Sequence, residues 1–470
     1  MALGHRKPQQ TDLFIPAALV ATGPGHPFYA KLNEVLAQAQ FDEFVEKLCA
    51  PCYREGGRPS IPPGVYFRML LVGYFEGIDS QRGIAWRCAD SLALRNFLGV
   101  ALTETTPVHV SMTIIRQRLP ERIFDAVFRF VLTLLEQQGV LRGKTVGIDA
   151  TTLEANAAMK SIVRKDTRAD WNTYLRGLAK AEGMESPSDE DLRRLDRKRK
   201  GKKVSNQVWE SRTDPDSRIT KMKDGRTHLA YKAEHAMDLE SGAIVAATVM
   251  HADRGDAETG PITLSLAEAN LVLAGATGTL EEVVMDKGYH DLELLADCAE
   301  RGVRTYLPQR EQKHRCWTDK PEIHQTVFRA NRQRVLRAKG RRLNRWRSER
   351  CERTFAHVCE TGGGRRMWLR GQTNASKVHV LKCAAYNLGL LLRKVWGLNK
   401  PRNGKVGAAA LFWAILAFLL AIALIVTGGA DPILNGIWGW LGMLVIATLA
   451  VYGSSGPKTT RENDPFLTGC

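Results

Sequence analysis

The chain has 470 residues, 44% hydrophobic and 25% charged, which excludes a small stapled scaffold and suggests two to three domains at ~150 residues each. Lys and Arg number 67 against 50 Asp and Glu, a net charge of +17 and a pI near 9.5 that point to a polyanionic partner, either nucleic acid or an anionic membrane surface. Nine cysteines, irregularly spaced and odd in number, together with no secretory leader, argue for a reducing compartment and a cytoplasmic chain.

Up to about residue 140 the apolar spacing is helical, over 41–48, 65–75, 92–98 and 124–135, with a break at Arg58-Pro-Ser-Ile-Pro-Pro-Gly64. Cys49 and Cys52 form a tight pair. No second pair follows at zinc-finger spacing, so they read as helix-end cysteines. Residues 106–119 begin with a helix-start signal and end on Arg116 and Arg118, behind a helix at 91–98. They could form the second helix of a helix-turn-helix. A packing helix is the alternative, since Val110, Ile114 and Ile115 would then be buried.

Strand-like runs begin afterwards, at 144–153, 228–239, 243–251, 282–285 and 304–307, rich in Val, Ile, Thr and Tyr. Between the first two lies a charged insert, about 159–225, whose basic core Arg193–Lys203 includes Lys198, Arg199 and Lys200. Such a run is too repulsive to pack alone and should be exposed and mobile, or laid against phosphates. A second basic stretch, 329–350, carries ten Arg or Lys against one acid, Glu349, and includes Arg341, Arg342, Arg345, Arg347 and Arg350, with Arg353 just beyond. It too suits phosphate contact. Composition changes after Arg402: residues 406–430 and 432–457 carry no charged residue, and each run is long enough for the ~20 residues that span a bilayer core. Basic residues flank both runs, as in a two-helix membrane hairpin with both ends cytoplasmic. A fused or buried oligomerisation hairpin is the other reading.

Asp149 ends the apolar run Thr145-Val-Gly-Ile-Asp149, and Asp286 ends Val283-Val-Met-Asp286, with Gly288 allowing a close turn behind it. An acid delivered by an apolar strand is costly unless it binds something. A third acid should come from a helix packed on those strands. In the helix expected over 346–358, Cys351, Phe355 and Val358 form the apolar stripe; Glu352 flanks it and Glu349 points toward solvent. Two metal ions in phosphodiester chemistry need carboxylates that converge from separate elements. Asp256, before Ala257-Glu-Thr, reads as a helix N-cap.

Asp286-Lys-Gly-Tyr289 resembles the Asp-x-Gly-Tyr signature of bacterial insertion-sequence DDE transposases, and Glu349-Arg-Cys-Glu-Arg-Thr-Phe-Ala-His357 resembles their Val-Glu-Arg-x-Phe helix. Similar matches include His228-Leu-Ala-Tyr-Lys232, Ala252-Asp-Arg-Gly-Asp256, Arg365-Arg-Met-Trp-Leu-Arg-Gly371 and Ala384-Ala-Tyr-Asn-Leu388, over roughly residues 20–395. The chain departs from the family pattern at Ser348, where an Arg is usual, and at Cys359, where a Lys is usual.

The resemblance implies a helical N-terminal DNA-binding domain over 1–140 and an RNase H-like mixed-sheet α/β catalytic domain over 141–398, ahead of the hydrophobic helical tail at 399–470. It implies that Asp149, Asp286 and Glu352 are the catalytic triad and the ligands of two Mg ions, with Mn able to substitute, for cleavage at element ends and strand transfer into target DNA. The implied partners are the terminal inverted repeats, target DNA and a second or further copy of the chain. The implied location is the nucleoid, with a membrane tether through 406–452 as an open alternative. A different RNase H-like nuclease, or a catalytically inactive DNA-binding or membrane-attached remnant of an element, are the rival functions.

Overall fold

The computed structural model describes residues 26–401 except 55, 57–59, 199–204, 223–224, 277, 310–316 and 319. The expected C-terminal hairpin lies outside the described residues, among which no helix is long and apolar enough to cross a membrane.

Helices α1 (Pro27–Gln38), α2 (Phe41–Cys49), α3 (Pro63–Glu76), α4 (Gln81–Asp90), α5 (Leu92–Leu98), α6 (His109–Arg118) and α7 (Glu121–Gln137) come first, with α2, α3, α5 and α7 where the apolar spacing predicts helices. Ser80 and Ser91 cap α4 and α5 by accepting from Gly83 N and Leu94 N. Gly77, at φ 68°, closes α3 in the left-handed region that β-carbons disfavour. In α7 the buried residues Phe124, Val127, Phe128, Val131, Leu132 and Leu135 recur at three- and four-residue steps, so one face enters the core. Cys49 ends α2 and Cys52 sits in the following turn, consistent with a helix-end pair.

The strands are β1 (Thr145–Glu154), β2 (Ile162–Arg164), β3 (Trp209–Ser211), β4 (Arg218–Lys221), β5 (Thr227–Asp238), β6 (Ile244–His251), β7 (Glu282–Met285) and β8 (Arg304–Tyr306). In the main sheet β1 lies between antiparallel β5, with Asp149 opposite His235, and parallel β7, with Ile148 opposite Met285. Beyond β7 comes parallel β8, while β5 also pairs with β6 and β4. Helix α10 (Asp256–Leu273) connects β6 to β7, and α11 (Leu292–Glu300) connects β7 to β8. Two further helices, α12 (Glu322–Leu336) and α13 (Ala338–Phe355), lead to a π-helical turn, Ala356–Thr361, and the long closing helix α14 (Gln372–Trp396).

Side chains alternate across a strand, so Val146 and Ile148 join the core that holds Leu264, Ala267 and Leu271 of α10, whereas Gly147 meets Arg347 and Cys351 of α13. Asp149 shares that parity and faces α13. The buried helix α14 packs against α7, α3 and β6, and one continuous apolar core runs from Phe28 through the sheet to Leu392.

The insert has local order that its charge did not suggest. Expected to be exposed and mobile or laid against phosphates, its described part builds a small core from Leu175 and Ala179 of α8 (Trp171–Ala181) against Leu192 and Leu195 of α9 (Asp189–Lys198), while residues 199–203 of the basic run lie outside the described residues. Three acids at the start of α9 offset part of its positive charge, and Trp171, Tyr174 and Trp209 pack beside it with ring centroids 5.0–6.0 Å apart.

Candidate active site

Asp149, Asp286 and Glu352 line one cleft of about 670 Å³ beside the middle of β1 and just past the end of β7, against α13. β1 presents Asp149 because the strand's parity turns it toward α13 just where β7 stops. Its carboxylate accepts from the Ala150 amide at 2.9 Å and ion-pairs with Arg347 at 2.8 Å. Burial pushes the Asp149 carboxyl above its usual range; Arg347 and the Ala150 amide pull it back down, and the charge of Asp286 pushes the same way as burial. Asp286 caps the turn Lys287–Tyr289 by accepting from Lys287 N at 2.6 Å, so it both starts a turn and reaches the cleft. Glu352 is exposed on the cleft side of α13. Glu349, also exposed, pairs with Arg353 at 2.6 Å and does not line the cleft. Hard carboxylate oxygens from a strand, the turn after a second strand and a helix are the donor type that divalent cations such as magnesium take. A larger groove of about 1120 Å³ among the N-terminal helices has no comparable set of converging acids.

A network that the sequence alone did not assemble supports the cleft. Glu234 on β5 has no solvent exposure and is satisfied by Lys232 at 2.9 Å, Thr263 at 2.6 Å and the Tyr289 hydroxyl at 3.0 Å. Lys232 also donates to Thr259 at 2.7 Å and pairs with Asp256 at 2.7 Å. A buried charge pair persists only when its remaining hydrogen-bonding capacity is filled, as here. Asp256 is therefore not the N-cap of α10, which is Gly255; it is the first helical residue, held by Lys232 beside Gly288. The signal lay in the runs containing Lys232 and Asp256, but only the fold joins them.

The basic residues separate into two sets. Arg341, Arg342, Arg345 and Arg353 are exposed, and Arg350 and Arg342 stack on Trp346 at 4.6 and 5.4 Å. Arg118 is exposed over Tyr53, and Lys198 ends α9 in solvent. Arg199 and Lys200 lie outside the described residues. Arg347, expected with the phosphate-facing arginines, is 9% exposed and turned inward onto Asp149, its Nε without a hydrogen-bond partner. Arg116 is 8% exposed and packed among the N-terminal helices and α14, because its helix turns that side to the core. As placed it does not present its guanidinium to a duplex. On α6, Ile115 is buried but Val110 and Ile114 are about half exposed, so the packing-helix alternative does not account for this helix by itself.

The sequence matches two families. One, described as Transposase domain (DUF772), covers residues 19–118, and the other, described as Transposase DDE domain, covers residues 194–388. Together they take in more than half of the chain. No curated protein matches it in sequence. A solved structure, the Mos1 transposase paired-end complex with left transposon end, aligns at 9% identity over 66% of this chain and 82% of its own, with a TM-score of 0.18, a likeness too slight to bear on the fold.

Proposed function

The chain belongs to the DDE transposases of insertion sequences, and we propose that Asp149, Asp286 and Glu352 are its catalytic carboxylates, cutting DNA at element ends and joining those ends to target DNA. The observation that carries this reading is the convergence of these three acids, from β1, β7 and α13, on one cleft. The family works with divalent metal ions; here the three carboxylates would hold two Mg ions, with Mn able to substitute, which would activate the attacking hydroxyl and stabilise the leaving oxygen.

Each side chain has a separate task. Asp149 must be ionised to take up a cation, and Arg347 favours that state while burial opposes it. Arg347, buried beside the cleft, holds the Asp149 carboxylate through its ion pair at 2.8 Å. Arg365 donates to Thr151 Oγ1 at 3.1 Å and to the Thr152 carbonyl at 3.0 Å, bracing the strand that carries Asp149. Tyr289 and Glu234 fix the turn that follows Asp286.

The order of elements also supports an RNase H-like catalytic domain over 141–398: a central acid-bearing strand with an antiparallel hairpin on one side and two parallel strands, reached through a helix each, on the other. The exposed Arg341, Arg342, Arg345 and Arg353 and the half-buried Arg350, with Lys198 in the insert, would follow the DNA backbone. Residues up to 140, including Arg118 on α6, would contact the terminal repeats. Two or more copies would act together on paired ends.

Duplexes carrying the DNA that flanks the gene test this. With Mg present, the wild-type chain is expected to nick them and join the ends to a second duplex. Glu352→Gln should lose both reactions by more than about 100-fold, because even groups one shell away from a metal cost 10- to 100-fold, and should still bind DNA. Glu349→Gln should stay within a few-fold, as suits an exposed pair. An inactive Glu349→Gln beside an active Glu352→Gln would overturn the third assignment. Cutting without joining would instead mark a plain nuclease.

A further inference from the structure

His235 on β5 faces the same side of the sheet as its cross-strand neighbour Asp149, yet it is fully buried, stacked on Phe355 with ring centroids 4.2 Å apart. Its Nε2 lies 2.8 Å from His379 Nε2 and 3.4 Å from Cys383 Sγ, and the three ligand atoms are all within 4.8 Å of one another. None of the three side chains reaches solvent. His379 and Cys383 are one turn apart on α14, so their ligand atoms share a face.

The state of His235 follows from its other nitrogen. Thr354 Oγ1 donates to the Cys351 carbonyl at 2.8 Å, which leaves it an acceptor for His235 Nδ1 at 3.0 Å. Nδ1 therefore carries the proton and Nε2 presents a lone pair. An outer N–H held by a hydroxyl or carbonyl is the usual arrangement of a metal-binding imidazole. Protons alone serve the cluster poorly, because the single lone pair of His235 Nε2 is the acceptor for both the His379 N–H and the Cys383 S–H. A borderline-soft cation would take one lone pair from each of the three atoms.

We propose that His235, His379 and Cys383 bind one zinc ion, distinct from the catalytic cations, that pins α14 to the central hairpin. At Zn–N distances of about 2.0 Å the two imidazole nitrogens would sit roughly 3.3 Å apart, so loading moves them by about half an ångström. Loading also replaces the thiol proton: Cys383–SH and Zn²⁺ give a zinc thiolate and one released H⁺, with no redox change. Burial keeps both imidazoles neutral, the form that donates. Magnesium prefers hard oxygen ligands, so this site and the carboxylate cleft would sort the two ions by ligand chemistry. The ion would bridge residues 144 positions apart in sequence.

The test is elemental analysis of the full-length chain after exhaustive dialysis against a chelator. About one zinc per chain is expected in the wild type and in Glu352→Gln, and a loss of nearly all of it in Cys383→Ser. Because Cys383→Ser could disturb folding, the wild type is also depleted under mild denaturation and refolded with cobalt(II). A thiolate-to-cobalt charge-transfer band, abolished by zinc and unaffected by magnesium, is expected. A folded chain with no retained zinc and no such band would overturn the proposal and leave a hydrogen-bonded histidine pair. Loss of zinc in Glu352→Gln together with full retention in Cys383→Ser would overturn it equally, by placing the zinc in the carboxylate cleft.

Discussion

At Gly147 an added β-carbon would sit 2.7 Å from Leu239 and 3.2 Å from the Arg347 side chain, so the bare backbone there is what lets α13 close on β1 and Arg347 reach Asp149. Gly288 does the same for the second acid. A β-carbon at 288 would lie 2.2 Å from the Asp256 carboxylate, which Lys232 fixes in place. In the sequence Gly288 looked like a turn glycine; its structural reason is close approach to Asp256, a contact no local pattern reveals. Gly288→Ala is expected to displace the turn carrying Asp286 and to lower cleavage by roughly 10- to 100-fold, since a 1 Å misplacement of a reacting group costs about that much. Melting temperature should change by only a few degrees. Cleavage rates and thermal unfolding, measured on the same preparation, check this; an unaffected rate would mean that Asp286 is not positioned by the turn.

Two asparagines act as short substitutes for missing strands. Asn331 of α12 donates to the Leu307 carbonyl at 2.8 Å and accepts from the Leu307 amide at 3.0 Å, just past β8, while Asn387 of α14 treats Ile244 of β6 in the same way at 2.8 and 2.9 Å. Both side chains are almost wholly buried. Asn331→Leu would leave two backbone groups unpaired and should cost about 2–6 kcal/mol in denaturant unfolding, at ~1–3 kcal/mol for each orphan. In the π-helical turn, His357 packs against Tyr386 and its pKa falls to about 4, first through burial and then through Lys400, Arg393 and Arg353. The unfolded chain takes up this proton near pH 6.5 and the folded chain does not, so His357 contributes a loss of stability as pH falls from about 6.5 toward about 4. His357→Gln should flatten that part of a stability-against-pH curve, and the imidazole resonances of His357 should titrate near pH 4. The five main strands and the helices around them were legible because apolar runs and helical spacing are local signals. The order within the helical insert, the π turn and the Glu234 network were not, because each depends on partners far away in sequence.

Over the whole molecule, the positive charge is concentrated in exposed arginines on α13 and in the insert. DNA affinity is therefore expected to fall steeply with salt, and replacing Arg341, Arg342 and Arg345 by Ala should reduce the slope of log K against log salt by about one for each phosphate no longer neutralised. Binding titrations at three salt concentrations check this, and a slope unchanged by the substitutions would remove α13 from the DNA path. A chain ending at residue 401 should unfold as cooperatively as the full chain, since the core of the described residues, from Phe28 to Leu392, would be kept whole. That shared core has a further consequence. Helix α14 is wedged between the N-terminal helices and the catalytic sheet, so the two regions cannot swing as beads on a string. If the first region grips the repeat and the second severs the strand, the protein is a ruler of fixed length: adding or removing two base pairs between the recognised sequence and the cut should shift the position of the cut along the DNA rather than be absorbed by a flexing joint.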